Sequence, residues 1–379
     1  MRSIYLDYNS TTPVAPAVQE AVLPFLAEHF GDPAGRHAVG RAAREAMDDS
    51  RHLVATLLGV DRDEIVFTSG GTESNNLALL GMMRRLAPNG RGHLVVTALE
   101  HVSVAATARY LQSRGYELTV VGCSRDGVVD PQDVENSLRP DTKLVSVIHA
   151  NHEIGSIQPV RQIAHLCRQA DVLVHCDAVQ SVGKIPVRPS ELGVDLLSLS
   201  GHKMYAPKGV GALYVRRGLD PVPVLHGSAD EAGLRPGTPN VPHCVALGAA
   251  AGLAAAHLDK ARDRLAMLRD RLETLLLEGF GDRLRILAHR AERLPNTLAV
   301  SFPRVAGDDL LRRIPEVCAA TDSASHSGSA TISPALAAIG LSAREALGTI
   351  RLSIGWYTTE EEIERAANLL LAAWDSASA

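Results

Sequence analysis

The sequence predicts an α/β fold with a largely parallel sheet that is covered by helices on both faces. Seven short apolar runs have the length of strands within the first 215 residues, and amphipathic segments such as 101–114 and 160–170 lie between several of them. Strands that alternate with helical patterns form parallel sheets. Ligands of such sheets gather at the carboxyl ends of the strands, so the residues that follow each strand are the first candidates for a site.

The elements follow one another in a simple order. The seven predicted strands cover residues 64–69, 93–98, 118–123, 143–150, 171–178, 195–200 and 211–215. A helical stretch at 241–280 comes next, and "RLRILAH" and "NTLAVSF" then predict strands of a smaller unit. The chain closes with the strand in "TIRLSIG" and a helix capped by Thr358 or Thr359. We expect a large domain at 15–250 and a small α+β domain formed by 1–14 and 251–379.

Composition excludes several classes of protein. The 379 residues are 46% hydrophobic and carry a net charge of −5, so we expect no direct contact with nucleic acid, which needs clustered Lys and Arg. The N-terminus lacks a signal-peptide pattern, and no apolar run reaches the roughly 18 residues of a membrane span. Five scattered cysteines favour neither disulfides nor a metal site. The prediction is a soluble, cytoplasmic protein.

Two residues at predicted strand ends carry the strongest chemical signal. Lys203 directly follows a strand in the turn "SGHK", and a lysine in a partly dry cleft loses its proton easily and can form a Schiff base. Asp177 ends another apolar strand, where a carboxylate is costly unless it meets a cation. The protonated ring nitrogen of pyridoxal phosphate would supply that cation. Taken singly, Lys203 could be a surface lysine and Asp177 a helix cap.

Other candidates also lie at turns. The turn in "IVFTSGGTESNNLALL" leaves the N–H groups of Gly70, Gly71 and Thr72 free at a helix start, a suitable place for a phosphate. His101 follows the strand at 93–98 and could stack on a planar ring or simply start a helix.

Three further segments provide polar groups. Asn151 and His152 end another strand, and the loop "LRPGTPN" offers Arg235 and Thr238 for an anion or only for a turn. Arg351 is flanked by apolar residues and needs a partner, for which a substrate carboxylate would suit its planar side chain.

Taken together, these segments resemble the cysteine desulfurase family of fold-type I pyridoxal-phosphate enzymes. The similarity covers essentially the whole chain, and the matching motifs come in the family's order. They are "YLDYNSTTPV", "FTSGGTESNNLA", "EHVSV", "EIGSIQPV", "CDAVQSVGK", "SGHKMYAPKGVGALYV", "LRPGTPN" and "IRLSIGWYTTEEEIE".

The resemblance implies pyridoxal 5'-phosphate as cofactor, L-cysteine as substrate, a homodimer with shared sites and a sulfur-acceptor protein as partner. It implies a role for each matching position. Lys203 would bind the cofactor covalently, Asp177 would pair with its ring nitrogen, and His101 would stack on the ring and transfer protons. The remaining contacts implied are Gln180 with the phenolic oxygen, Gly71, Thr72, Ser200 and His202 with the phosphate, Thr238 with the phosphate of the neighbouring subunit, and Arg351 with the substrate carboxylate, beside Asn151.

The chain departs from the family's pattern at three places. His152 replaces an Asn that contacts the ring oxygen, and we expect altered tuning rather than loss. Trp356 replaces a basic residue. In the segment 320–336, which the resemblance marks as a mobile loop of the small domain, Ser325 falls on the family's nucleophilic cysteine, with Ser327 as the reserve position. An alcohol cannot carry a persulfide, so this chain is expected to be an inactive Cys-to-Ser form.

Other functions stay open at this point. A natural serine variant could act as a selenocysteine lyase or a C–S lyase that needs no protein persulfide. A non-catalytic scaffold would keep the fold for partner binding, although Lys203 and Asp177 argue against it. Aminotransferase-like activity is a further alternative. The sulfur pathway served could be iron–sulfur cluster assembly, tRNA thiolation or DNA phosphorothioation.

Overall fold

The computed structural model describes residues 3–321 and 332–378. The strands in these ranges are β1 Ile4–Tyr5, β2 Ile65–Thr68, β3 His93–Thr97, β4 Glu117–Val121, β5 Thr142–Ile148, β6 Leu173–Asp177, β7 Leu196–Ser200, β8 Gly211–Val215, β9 Arg285–Ile286, β10 Thr297–Ser301, β11 Val317–Cys318 and β12 Thr349–Ser353. The helices are α1 Pro16–Ala27, α2 Ala38–Leu58, α3 Gly71–Leu86, α4 Val102–Ser113, α5 Pro131–Ser137, α6 Val160–Gln169, α7 Pro189–Leu192, α8 Val241–Phe280, α9 Gly307–Arg313, α10 Pro334–Ala338, α11 Ala343–Leu347 and α12 Glu360–Ser378. Short 3₁₀ turns include Gly201–Lys203.

The large sheet confirms the predicted fold class. Its seven strands stand in the order β2-β8-β7-β6-β5-β3-β4, and β8 alone runs against its neighbours. The seven predicted strands lie at these positions, within a few residues at each end. The reversed β8 follows β7 after a short connection, which an antiparallel pair permits and a parallel pair does not.

Both faces of the large sheet are covered, as its apolar strands require. In β3, Val95 packs into the core shared with α2, α6 and the first part of α8, whereas its neighbours Leu94 and Val96 pack into the core shared with α3 and α4. Successive side chains of a strand point to opposite faces, so a continuous apolar run is the signature of a sheet buried on both sides.

A second core lies beside a smaller sheet. The antiparallel strands β12-β10-β9 pack with α9, α12 and the later part of α8, and β1 pairs with β11 in a separate two-stranded sheet. Along α8 the change from the core that contains α2 and α6 to the core of the smaller sheet falls between Ala251 and Leu265. The predicted domain boundary at 250 and 251 lies close to this change and stays a prediction.

The helix α8 is also the one described element that has the length and apolar content of a membrane span. Its most apolar window has a mean hydropathy of 1.5, and 44% of that window is buried inside the protein. Most buried apolar positions of α8 belong to these two cores, and Ala246 and Ala250 pack in a smaller cluster with α1, which is how a core helix of this length buries its apolar side chains.

Candidate active site

The carboxyl ends of four parallel strands and the turn after β2 meet around one cavity of about 400 Å³. This is the edge at which parallel sheets place their ligands. The lining residues are predominantly polar: Asn9, Ser10, Gly71, Thr72, Asn75, His101, Ser103, Ile148, His152, Asp177, Val179, Gln180, Ser200, His202, Lys203 and Arg351. Most of the predicted site residues are therefore brought together by the fold.

Lys203 is positioned by the 3₁₀ turn that follows β7. Its Nζ donates to the backbone oxygens of Asn9, at 2.5 Å, and Ser10, at 2.7 Å. Burial, with a contribution from the nearby Arg351, lowers the pKa of Lys203 to about 8, against the opposing effect of Asp7 and Asp177. About a tenth of this amine is thus uncharged at pH 7, far more than for an ordinary lysine, and is available as a nucleophile or a proton acceptor.

Asp177 ends β6 and lies at the start of a hydrogen-bonded chain that reaches His101. Its Oδ1 accepts from the N–H of Val179, and its Oδ2 accepts from the amide of Asn75 at 2.7 Å. The same Asn75 nitrogen donates to Ser103 Oγ at 2.9 Å, and Ser103 Oγ lies 2.7 Å from His101 Nδ1. Because Ser103 accepts from Asn75, its hydroxyl proton is free to point to the imidazole.

This row of hydrogen bonds sets the tautomer of His101. The N–H of Ser103 also donates to His101 Nδ1, at 3.1 Å, so Nδ1 is an acceptor from two directions. Burial lowers the pKa of His101, although Asp177 opposes the shift. The imidazole is therefore held neutral, with its proton on Nε2. Burial in turn raises the pKa of the Asp177 carboxyl, an effect that His101 opposes.

The phosphate end of the predicted site is built on the turn before α3. Gly70 has a φ of 147°, which only glycine adopts readily, and a Cβ on Gly71 would lie 2.6 Å from Val179 Cγ2. The close approach leaves the first N–H groups of α3 next to the cavity, beside Thr72 and Ser200. A helix N-terminus of this kind binds anions.

His202 lies at the same end and is held by Thr11. Its Nδ1 is 3.2 Å from Thr11 Oγ1, and burial together with Lys203 lowers the pKa of His202 to about 4. It is thus uncharged near neutral pH and can take part as a hydrogen-bond donor.

His152 and Asn151 differ in their placement. His152 lines the cavity with its ring edge-on to His101, at 5.2 Å between centroids, and its buried Nδ1 has no partner among the residues described. Asn151 does not line the cavity. Its side chain closes the following turn by accepting from the N–H groups of Glu153 and Ile154, and it donates to the oxygen of Leu99.

Arg351 reaches the cavity from β12 of the smaller sheet. Its side chain donates to Asp7 Oδ1 at 2.9 Å, Ser10 Oγ at 2.7 Å and the oxygen of His152 at 3.0 Å. The sequence indicates a cation in need of a partner, and the structure provides one, because Asp7 forms an ion pair with it. A substrate carboxylate would join or replace an existing pair.

The last predicted residues lie outside this set. Thr238 is exposed and is not among the cavity residues of its own chain. Ser325 and Ser327 fall in 322–331, outside the described residues, so their predicted role stays a prediction.

Several contributors to the site were missed from the sequence, among them Asp7, Ser10 and Thr11, which hold Arg351 and His202. Asn75 and Ser103 connect Asp177 to His101, and Asn9 lies between the two lysines of the region, Lys203 and Lys184. Their only sequence signal is that they stand within the quoted motifs, since their partners are far away along the chain.

The family and its relatives agree with this geometry. The family model of class-V aminotransferases matches residues 4–366. The cysteine desulfurase IscS of Dictyoglomus turgidum is 42% identical over 371 residues, which are 97% of this chain and 94% of that protein. The chain belongs to the cysteine desulfurase family. The family predicted from the sequence is thereby confirmed, and with it the enzyme class.

Solved structures also support the assignment of this chain to the cysteine desulfurase family. A NifS-like protein has a TM-score of 0.91 and 36% identity, with both chains covered completely. A structure titled "SspA in complex with cysteine" has a TM-score of 0.83 and 35% identity, and covers 94% of this chain and 99% of that one. The predicted fold-type I architecture is confirmed by these neighbours.

Enzymes of this family use pyridoxal 5'-phosphate, and the site fits that cofactor. Within the described ranges no cation forms an ion pair with the buried carboxyl of Asp177, whose pKa is raised, and a protonated ring nitrogen would supply one. A lysine with a lowered pKa and a helix N-terminus face the same cavity. The unpartnered Nδ1 of His152 adds an orphaned polar atom at its wall. The chemistry of these donors is what an aldehyde, a pyridine ring and a phosphate require together.

Proposed function

We propose that the site is built to remove sulfur from L-cysteine, with L-alanine as the other product, and that the serine at 325 prevents completion of the reaction in this chain. The observation that carries the proposal is the meeting of Lys203, Asp177 and Arg351 at one cavity, although Arg351 comes from a different sheet. A cofactor site and a carboxylate-binding cation are thereby placed side by side.

The cofactor would be held by residues from several strand ends. Lys203 would bind it covalently, Asp177 would pair with its ring nitrogen, His101 would stack on the ring, and Gln180 and His152 would face its phenolic oxygen. The phosphate would be bound by Gly71, Thr72, Ser200 and His202. When bound, pyridoxal phosphate supplies an electron sink for the α-carbon of an amino acid.

The substrate would be oriented by Arg351 through its carboxylate. Asn151, whose side chain is used within its own turn, would act only through the position of that turn. Lys203, whose pKa is lowered to about 8, would take the proton from the α-carbon. His101 would act through its Nε2–H, since its Nδ1 is an acceptor.

The last step needs a thiol that the aligned positions lack. In the family the thiolate attacks the sulfur of cysteine, so that one C–S bond breaks, one S–S bond forms and a persulfide remains on the protein. Ser325, or Ser327 in reserve, takes that place, and a hydroxyl carries no sulfane sulfur. Cys318, the preceding cysteine, is half-buried in β11.

Restoring the thiol tests this proposal. Ser325→Cys, or Ser327→Cys in its place, should release sulfide and alanine in equal amounts from L-cysteine under a reductant, whereas the chain as it stands should not. Ser329→Cys, in the same segment, is the matched control and should stay inactive. If neither restored variant turns over, the assignment of the nucleophile is wrong.

A second function is favoured by the same serine. A C–S lyase or a selenocysteine lyase needs no protein persulfide. Formation of pyruvate from cysteine, or of alanine and selenide from selenocysteine, by the unmodified chain would support that alternative and contradict the inactive form.

The proposal extends to the assembly. Thr238, exposed on its own chain, would reach the phosphate of a second copy in a homodimer, and a sulfur-acceptor protein would receive the sulfur in the cytoplasm. Cross-linking of Thr238→Cys between copies, and its effect on cofactor affinity, would test the shared site.

A further inference from the structure

Lys184 is a buried lysine that none of the roles above uses. It follows Gln180 by four residues, and the residue is only 7% exposed. Its Nζ donates to Gln180 Oε1 at 2.7 Å and to Asn9 Oδ1 at 3.1 Å. Across the described ranges no carboxylate forms an ion pair with it, and the charged groups that act on it, Lys203 and Arg351, are both cations.

A lysine in such surroundings is expensive. Burying an ammonium without an anion costs several kcal/mol, so a chain does not gain stability from it. Burial lowers the pKa of Lys184 well below its usual range. A neutral amine has two N–H groups, and the structure provides two oxygen acceptors for them.

Contacts with Asn9 and Lys184 determine how the side-chain amide of Gln180 is oriented. Its Nε2 donates to the backbone oxygen of Asn9 at 2.9 Å, and a backbone oxygen can only accept, so the amide nitrogen must face Asn9. The carbonyl oxygen then faces Lys184. One N–H of Gln180 is left without an acceptor among the residues described, and Gln180 lines the cavity.

Asn9 holds the other end of this arrangement. Its amide nitrogen donates to Thr297 Oγ1 at 2.9 Å, so its Oδ1 faces Lys184 and also accepts from Asn296. Its backbone oxygen accepts from both Gln180 and Lys203. Lys184 is thus connected through Gln180 and Asn9 to the lysine that would bind the cofactor.

We propose that Lys184 is a positioning residue that fixes the amide of Gln180, so that an N–H donor points into the cavity where the phenolic oxygen of the cofactor would lie. Without Lys184 the carbonyl oxygen of Gln180 loses its donor, so that only the bond from its Nε2 to the backbone oxygen of Asn9 still holds the amide, which can then turn away from its position. This inference rests on the proposed placement of the cofactor.

A double-mutant cycle in cofactor affinity tests the role. Lys184→Met keeps an unbranched side chain, one atom shorter, and removes both N–H groups. We expect the dissociation constant of pyridoxal phosphate to rise by about tenfold, as the loss of one well-placed hydrogen bond implies. Gln180→Leu should have a similar effect. Since Lys184 acts through Gln180, the double variant should bind no more weakly than Gln180→Leu alone.

Two further readouts separate positioning from a structural role. The absorbance spectrum of the bound cofactor should change in Lys184→Met, while the melting temperature of the cofactor-free protein should change by only about 2 °C or less, because the freed amide of Gln180 lines the cavity and can find water as a partner there. Lys260→Met, at an exposed position of α8, is the control and should leave spectrum and affinity unchanged.

The outcomes distinguish this inference from the proposed function. If Gln180→Leu leaves cofactor binding and spectrum unchanged, the placement of the cofactor is wrong. If Gln180→Leu weakens binding and Lys184→Met does not, or if the two effects add, only the role of Lys184 is overturned. A lower melting temperature of cofactor-free Lys184→Met with an unchanged spectrum would likewise assign Lys184 to the core.

Discussion

The two sides of the cavity are assembled in different ways. The sheet side comes from strand ends of the large sheet and from the helix starts that follow them, and it consists of Lys203, Asp177, Asn75, Ser103 and His101. Short hydrogen bonds link the last four of these residues. The terminal side consists of Asp7, Ser10 and Arg351, in which the N-terminal segment meets β12 across 344 residues of sequence. In the proposed function the sheet side would hold the groups that move protons, and the terminal side would hold the cation that binds the substrate carboxylate.

In the proposed site, the groups for chemistry and the group for substrate binding therefore lie on separate sides and can be tested separately. Groups on the sheet side have pKa values shifted by burial and by one another, as proton-transfer groups require. Arg351 is fixed by an ion pair and by hydrogen bonds to Ser10 and to the oxygen of His152. Exchange of the α-hydrogen of L-cysteine with solvent deuterium, followed by NMR, can test both sides without a nucleophilic thiol.

The largest effect is expected on the sheet side from Lys203→Ala. In the proposed role of Lys203, the variant would lack both the covalent link to the cofactor and the base, whose pKa is lowered to about 8, so we expect α-hydrogen exchange to slow by about 10³-fold or more. Lys208→Ala, an exposed lysine of the next loop, is the control. Exchange at the wild-type rate in Lys203→Ala would remove the sheet side from the chemistry.

On the terminal side, Arg351→Gln should change binding more than chemistry. Loss of the planar cation should raise the cysteine concentration needed for half-maximal exchange by about 10- to 100-fold, with a smaller change in the maximal rate. Arg344→Gln, on the surface of α11, should leave both unchanged. A loss confined to the maximal rate would contradict the separation of the two sides.

Glu100, directly before His101, makes the stability of the sheet side depend on pH. Burial raises the pKa of Glu100 from the usual 4.5 to about 8. The charge of Asp177 adds to this shift, and hydrogen bonds from Thr97 and Ile148 oppose it. The folded state therefore binds this proton more tightly than the unfolded chain does. The contribution of Glu100 to stability is full below about pH 4.5 and is lost as the pH rises toward 8.

Glu100→Gln should remove that loss. At pH 8 the variant should be more stable than the wild type by roughly 1–3 kcal/mol, and the difference should shrink as the pH falls to 5. Thermal or urea unfolding at both pH values measures it, with Glu45→Gln on the surface of α2 as the control. A variant that is less stable at pH 8 would show that Glu100 is ionised in the fold.

The smallest effect is expected from Ser103→Ala. The hydroxyl that reaches His101 Nδ1 is lost, but the backbone N–H of residue 103 still donates to that nitrogen and keeps the proton on Nε2. We expect a two- to tenfold slower exchange, the cost of one hydrogen bond. Ser113→Ala, at the other end of α4, is the matched control. A loss as large as that of Lys203→Ala would give Ser103 a direct part in proton transfer.

The sequence alone predicted three of the five residues of the sheet side. A continuous apolar run followed by a polar residue marks the end of a buried strand, and parallel strands place such ends together, so Lys203, Asp177 and His101 could be expected at one edge. The motifs gave the family and the cofactor, and the position of Ser325 as the missing thiol stays a prediction from the same motifs.

Tertiary structure alone decided which distant groups meet. The pairing of Arg351 with Asp7, the link from Asn75 through Ser103 to His101, and the contacts of Lys184 with Gln180 and Asn9 all depend on where separate segments pack. Hydrophobic periodicity records which face of an element is buried, but a buried polar group is satisfied by whatever donor or acceptor the fold brings within about 3 Å of it. That partner is a property of the packed molecule, and no local pattern in the chain contains it.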